Sequence, residues 1–478
     1  MYPIGLTLLS ILIPVFNEEE FIQAVLDRVL DAPLPQTTHE HDREIIVVDD
    51  ASTDGTPEAI EAFLRDHPDA PIRLYRHERN QGKGAAVRTA LEHASGEFTI
   101  IQDGDLEYDP REYGKLLAPL LSGDADAVYG SRFVVAGERR VLYYWHSLAN
   151  RFLTTVCNVF ADLNLTDIET CYKVFRTPLI QSIPIFSNRF GIEPEITVKL
   201  SRRQARIYEV PITYHGRTYD EGKKIGLGDA FAALGVLVRA RFSGHIYKDE
   251  GPAILHVLSN ANRFNRWMAD TVAPYLGPTV LELGAGMGNL SRLLSPRRRR
   301  YVATDIDEEH LARLRSRLAH RPNLETALCD LMKPEDFTPF HGQMDSVVCL
   351  NVVEHIPHDL TGLRNIYSAL RPGGRAVVLV PQGQAVYGTL DVALGHVQRY
   401  SKKELHEKMS QCGFKVERVL EFNRITYPGW FVNGRIMKKR TFSRFQLSVF
   451  DSLVPVWRRI DRLLPWPPTS VIAIGVKE

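Results

Sequence analysis

Cysteine is scarce. The 478-residue chain holds five, Cys157, Cys171, Cys329, Cys349 and Cys412. They are scattered and odd in number, with no C-x-x-C pair and no Cys/His zinc spacing. A disulfide framework and a structural zinc are therefore not expected, and a reducing, cytoplasmic setting is. Long apolar runs are also missing. No stretch approaches the roughly 20 residues that span a bilayer. The apolar run near the N-terminus has no basic region before it and ends early at Pro14 and Asn17, which predicts a buried strand rather than a signal peptide. Excess charge is absent too, since Lys+Arg and Asp+Glu both number 58. Nothing global points to nucleic acid as a partner.

What is present is a soluble globular composition, 44% hydrophobic and 24% charged, in a chain too long for one core. Strand-like and helix-like stretches alternate. Leu8 to Val15 is apolar on both faces, as buried parallel strands are, and Asn17-Glu18-Glu19-Glu20 then opens a helix reaching Leu30. Glu44 to Asp50 is a second strand ending in acids, and Ile72 to Tyr75 a short third. Asn80-Gln81-Gly82-Lys83-Gly84 is a glycine-rich turn opening a helix, where backbone amides and Lys83 could hold an anion. This pattern predicts a doubly wound parallel sheet with a polar rim.

Ile100-Ile101-Gln102-Asp103-Gly104-Asp105 is the stretch on which the first half turns. Two apolar strand formers run into two carboxylates with a glycine between them. At the carboxyl edge of an open sheet, where ligands bind, these acids repel each other unless a cation intervenes. A hard divalent cation with an outside diphosphate resolves this economically. An acidic turn closing a strand is the plainer alternative.

Ser10 to Glu19, Val47-Val48-Asp49-Asp50-Ala51-Ser52, Asn80 to Gly84, Gln102 to Asp105 and Gly130-Ser131-Arg132-Phe133 stand in order. Together they resemble the family 2, GT-A-fold glycosyltransferases, especially the dolichol-phosphate-mannose-synthase-like branch, over roughly the first 240 residues. The resemblance implies an inverting transferase using a UDP- or GDP-sugar. It implies that Pro14, Phe16 and Glu18 line the nucleotide pocket, that Asp50 accepts from the base imide, and that Lys83 sits near nucleotide or phosphate. Asp103 and Asp105 would hold Mg²⁺ or Mn²⁺, and Arg132 would meet phosphate oxygens. A hydroxyl acceptor needs a general base, whereas a phosphate is already ionised. Asp167-Ile168-Glu169-Thr170-Cys171-Tyr172-Lys173 looks more like the polyprenyl-phosphate branch than the hydroxyl-acting one, which favours a lipid phosphate over a glycan acceptor. Asp167 is the best alternative base. Glu193 and Glu195 are further carboxylates, read equally well as acids opening a helix. Tyr214 to Lys224, with Arg217, suits either a loop folding over a diphosphate or a solvated basic loop. The amphipathic stretch Phe231 to Phe242 is too short and charged to span a membrane, though it could lie on one.

Gly244 to Pro252 is turn-rich and predicts a boundary, with domains at 1–245 and 246–478. Beyond it, Thr279 to Leu283 runs into Gly284-Ala285-Gly286-Met287-Gly288. This G-x-G-x-G spacing departs from the dinucleotide-binding G-x-G-x-x-G. Asp305, Asp330 and Asn351 end the next three strands, and Pro372-Gly373-Gly374 precedes a fifth. These motifs resemble a class I S-adenosylmethionine-dependent methyltransferase with a Rossmann-like fold. By resemblance, Glu282 and the backbone of Gly284, Gly286 and Gly288 face the methionine part. Asp305 would hold the ribose hydroxyls, Asp330 the adenine amine, and Asn351 would pass near the sulfonium. His355 is either a base for an acceptor hydroxyl or a structural histidine. Arg297 to Arg300 reads as a solvated face. Asn423 to Pro468 mixes aromatic and basic residues, as an insertion packed on the core or as a lid or contact with an anionic membrane.

The whole predicts two doubly wound α/β domains and a bifunctional enzyme. Its partners would be a nucleotide-sugar and a lipid-linked or glycan acceptor, its cofactors a divalent metal and S-adenosylmethionine, with peripheral contact to the inner face of a membrane as an option. The rivals are a sugar nucleotidyltransferase-like enzyme and a binding module with one inactive domain. The first should carry a glycine/arginine loop after its first strand, where this chain has Pro14 to Glu18.

Overall fold

The computed structural model describes residues 8–35, 42–134, 143–189, 191–216, 227–243, 245–248, 261–440 and 444–478. The chain divides into two compact units, Met1–Lys248 and Asp249–Glu478. Each is built on a sheet of seven strands among the described residues.

In the first unit, β1 (Leu9–Val15), β2 (Arg43–Asp49), β3 (Ile72–Arg76) and β4 (Phe98–Ile101) are parallel, in the order β3-β2-β1-β4. β1 and β4 are buried along their whole length and β2 at every residue but Glu44, so helices must cover both faces. β5 (Ala127–Ser131), β6 (Lys173–Arg176) and β7 (Ile207–Pro211) continue the sheet as β4-β6-β5-β7. Here the expectation of a parallel sheet is corrected, because β6 runs antiparallel to both β4 and β5. The connection from β5 carries the long helix Tyr144–Ala161 and returns at the same sheet edge. Residues 167–172 are thereby brought to the rim that carries Asp103.

The second unit orders its strands β10-β9-β8-β11-β12-β14-β13. These are β8 (Thr279–Leu283), β9 (Arg300–Asp305), β10 (Leu324–Leu328), β11 (Met344–Leu350), β12 (Leu370–Pro381), β13 (Phe414–Phe422) and β14 (Ser470–Lys477). β8 to β12 are parallel. β14 is antiparallel to β12 and β13 is antiparallel to β14, so this sheet is mixed as well. The aromatic and basic stretch after β13 packs on the core in part. Its helix Arg444–Ile460 lies on the helix Asn262–Val272, with Phe450 and Phe264 ring centres 5.7 Å apart, an Arg458–Asp270 ion pair at 2.6 Å, and Val454 buried. Val449, Leu453 and Val456 stay exposed on that helix.

All five cysteines are free and buried. Among the described residues no helix is long and apolar enough to cross a membrane.

Candidate active sites

At the carboxyl rim of β1, β2 and β4 lies a cavity of about 350 Å³. It collects Pro14, Phe16, Glu18, Asp50, Lys83, Asp103, Asp105 and Arg132 from segments that span more than a hundred residues. The reason is topological: parallel strands deliver every βα turn to one edge. Arg217 lies outside the described residues. Glu107, Glu169, Arg189, Glu193 and Tyr214 complete the polar wall.

Lys83 opens the helix Lys83–Glu92. Its Nζ lies 2.8 Å from Asp103 Oδ1 and 3.2 Å from Glu193 Oε1. Burial works against the charge on Lys83, but Asp103, Cys171 and Glu193 outweigh it and hold its pKa well above the ordinary value. The same pairing overrides burial at Asp103 and keeps that carboxyl below its ordinary range. Gly82 before the helix has φ +100°, and a Cβ there would run into the backbone of Asn188, so the turn requires glycine.

Asp50 lines the cavity, and both its oxygens also hold the glycine turn. They accept from the amides of Gln81 (3.0 and 3.1 Å) and Gly82 (2.6 Å), and Oδ1 is 2.6 Å from His77 Nδ1. It clamps the glycine turn with three donors, which leaves about one of the carboxylate's four lone-pair positions open toward the cavity it lines. Asp167, the expected alternative base, is fully buried and does not line the cavity. Its carboxylate takes Arg132 Nε at 2.6 Å and Nη2 at 2.7 Å. This two-pronged pair fixes the guanidinium, whose carbon lies 5.0 Å from the centre of the Tyr214 ring.

Two further carboxylates that line the cavity come from beyond Arg132, Glu169 and Glu193. Glu193 Oε2 is buried without a hydrogen-bond partner. Burial, then the charge of Glu193, pushes the Glu169 carboxyl up to about 7, against the pull of Lys173 and Arg132. Glu195 points elsewhere, to Lys199 (2.6 Å) and the amides of Phe186 and Ser187. Sequence reasoning did not single out Glu169, although it stands two residues from Asp167 in the quoted segment.

The wall thus carries seven acids, Glu18, Asp50, Asp103, Asp105, Glu107, Glu169 and Glu193, against three cations, Lys83, Arg132 and Arg189. A diphosphate entering such a wall needs a positive charge brought with it. Asp103 and Asp105 supply hard oxygen donors, which suit Mg²⁺ or Mn²⁺ with phosphate oxygens and water filling the remaining positions. The residues fit that cation.

In the second unit the ends of β8, β9, β10 and β11 are neighbours in register. Gly284, Gly286 and Gly288 follow β8 with φ of +71°, +52° and +79°. A Cβ on Gly286 would meet open space, so the turn is accessible there. Asp305 ends β9 and binds the Gly286 amide at 2.7 Å and the Asp307 amide at 3.1 Å. Burial raises its pKa, but a bond to His310 and these amides win and lower it. Asn351 is exposed just past β11 with φ +56°, a conformation rare outside glycine and frequent at sites. Asp330 is half-buried beyond β10 and accepts from the Met332 amide at 2.9 Å. Asp305, Asp330 and Asn351 thus stand at the ends of neighbouring strands on the side of this glycine turn, a donor set that suits an adenosyl cofactor.

Glu282 stands just before this turn at the end of β8. Its side chain is buried and accepts from the hydroxyls of Ser291 and Tyr301, and burial pushes it up to about 7. His355 lies beyond Asn351, with Nδ1 3.2 Å from the Gly395 carbonyl.

These two rims belong to transferases. The chain belongs to glycosyl transferase family 2 through its first unit, where the profile described as "Glycosyl transferase family 2" matches residues 10–183, and its second unit carries a methyltransferase domain, matched at residues 281–376. The first unit has the GT-A fold and the second the Rossmann-like class I methyltransferase fold. Among its relatives is an undecaprenyl-phosphate mannosyltransferase of Micrococcus luteus, 30% identical over 228 residues, which are 45% of this chain and 86% of that one. Another is a dodecaprenyl-phosphate galacturonate synthase of Rhizobium johnstonii, 24% identical over 234 residues, 49% of this chain and 66% of the relative's own length. Among solved structures, a glucosyl-3-phosphoglycerate synthase of Mycobacterium tuberculosis in complex with Mn²⁺, UDP and phosphoglyceric acid is 21% identical. The match covers 52% of this chain and 81% of that one, with a TM-score of 0.38.

Proposed function

We propose that this chain is a bifunctional transferase. The first unit moves a sugar from a nucleotide-diphosphate donor to a polyprenyl-type lipid phosphate. The second transfers a methyl group from S-adenosylmethionine to an acceptor that is a glycan or a lipid-linked sugar. The observation that carries the first half is the meeting of Asp103, Asp105, Lys83 and Arg132 in one acid-rich cavity. The relatives' lipid-phosphate names support the acceptor class, and their different sugars leave the donor sugar open.

Asp103 and Asp105 would hold the divalent cation, which when bound supplies Lewis-acid stabilisation of the leaving diphosphate. Lys83 and Arg132 add fixed positive charge toward the same phosphates, and both are preset by their ion pairs. Asp167 positions Arg132 without touching substrate. An ionised phosphate acceptor attacks the anomeric carbon without giving up a proton, so no base need stand in the cavity. In the second unit the glycine turn, Asp305, Asp330 and Asn351 would hold the cofactor; methyl transfer chiefly demands alignment and exclusion of water. Exposed Tyr144, Trp145 and Phe152 on the helix Tyr144–Ala161 suit contact with the surface in which a lipid acceptor sits.

The test is transfer from a panel of UDP- and GDP-sugars to a short polyprenyl phosphate, with and without a chelator, together with thermal shift by S-adenosylmethionine. Asp103→Ala/Asp105→Ala should abolish sugar transfer and leave the S-adenosylmethionine shift intact. Sugar transfer surviving in that variant would overturn the first half, and no shift in the wild-type chain would overturn the second.

A further inference from the structure

Immediately after β11 the chain makes the tight turn Val353–His355, and some 40 residues later it passes the same place again after the helix Thr389–Leu394. A backbone bond from Val397 N to Glu354 O (2.8 Å) ties the two passes together. Three side chains meet there. Glu354, His355 and His396 each offer a ligand atom, and these atoms all lie within 4.8 Å of one another.

Glu354 is the telling member. It is 0% exposed, and neither carboxylate oxygen finds a hydrogen-bond partner. The nearest ring nitrogen, His396 Nε2, is 3.9 Å away. A buried carboxyl left so is costly unless something completes it.

The histidines are prepared from behind. His396 Nδ1 is 2.9 Å from Asp391 Oδ1, and Asp391 is itself held by Arg399 Nε (2.7 Å) and the Gly388 amide (3.0 Å). With Asp391 fixing the proton on Nδ1, Nε2 turns its lone pair toward Glu354. His355 Nδ1 likewise faces the Gly395 carbonyl at 3.2 Å. A carboxylate or carbonyl behind each imidazole is how proteins orient metal-binding histidines. Ligand atoms around a shared ion, at about 2.0–2.2 Å each, sit up to about 4 Å apart, so small side-chain rotations close this set.

We infer that Glu354, His355 and His396 form a binding site for a divalent first-row transition-metal cation, separate from the Asp103/Asp105 pair. Two imidazoles and one carboxylate select Zn²⁺, Mn²⁺, Fe²⁺ or their neighbours over Mg²⁺ or Ca²⁺, and leave coordination positions for an outside oxygen. Asn351 stands three residues before Glu354 at the end of the same strand. The cation would therefore hold an acceptor oxygen beside the rim and make its proton easier to lose. That role rests on the methyl-transfer reading above; the site itself does not. It also changes the part expected of His355, from free base to ligand.

The test titrates the full chain, freed of metal on a chelating resin, with Co²⁺. The visible d–d bands are followed, and Zn²⁺ is then added in competition. One equivalent of Co²⁺ per chain, displaced by Zn²⁺, is expected. Glu354→Gln, which keeps the side-chain volume, and His396→Ala should each lose the bands, with unchanged circular dichroism for at least the first. Asp103→Ala/Asp105→Ala should keep them. Equal Co²⁺ uptake by wild type and Glu354→Gln overturns the proposal, as does loss of the bands in the Asp103/Asp105 variant or no uptake by wild type. A missing S-adenosylmethionine shift beside a positive Co²⁺ titration would remove the methyl-transfer reading and leave the site standing.

Discussion

Replacing Glu169 with glutamine separates two chemistries that the cavity could run. With its carboxyl pushed up to about 7 by burial and by Glu193, Glu169 is about one-tenth ionised at pH 6 and about nine-tenths at pH 8. If the acceptor is a phosphate, that charge is a hindrance, because it sits in a wall already rich in acids. Wild-type KM for the lipid phosphate should then rise severalfold between pH 6 and pH 8. Glu169→Gln should flatten the rise and hold kcat within about threefold of wild type at pH 6.5. If Glu169 instead deprotonated a hydroxyl acceptor, its loss would lower kcat by about 10² to 10⁴, and wild-type rate would climb through pH 7. Steady-state kinetics of wild type and variant at half-unit pH steps, with polyprenyl phosphate as acceptor and saturating donor, measure this. A hundredfold fall in kcat with KM unchanged would refute the phosphate-acceptor reasoning.

Three other outcomes follow from the geometry. Asp167→Asn leaves the Arg132 guanidinium buried without its anion, which costs about 3–5 kcal/mol. Denaturant unfolding should show it in the transition of the first unit, and replacing both partners by apolar residues should recover part of the loss. Glu282 has a folded pKa of about 7 against an unfolded value of 4.5. The unfolded chain therefore gives up this proton first, and stability falls as pH rises from about 4.5 to about 7, by up to about 3 kcal/mol. Glu282→Gln should remove that slope in unfolding curves of the second unit. Gly284→Ala must adopt φ +71° and drive its methyl into Val352, so it should cost about 2 kcal/mol or more and abolish the S-adenosylmethionine shift. Gly286→Ala, facing open space, should fold with a smaller loss, about 1 kcal/mol from its φ alone.

The sequence by itself determined the periodicity of the strands and the chemistry of their ends. Apolar runs such as Leu9–Val15 can lie only inside a sheet, and a run that stops at Asp103-Gly104-Asp105 must surface there, because no core accepts two bare carboxylates one residue apart. Pro14 to Glu18, Lys83, Arg132 and the glycine turn after Leu283 were legible for the same local reason. What the tertiary structure alone decided is which acids face a ligand and which are spent on the fold. Asp167 looks as available in sequence as Asp103 does. Its partner Arg132 lies 35 residues away, and no local pattern announces such a pairing. The antiparallel course of β6 carried Glu169 to the cavity, and the second pass at Gly395 carried His396 to Glu354. Both depend on where distant segments return in space, which the hydrophobic pattern of either segment leaves open.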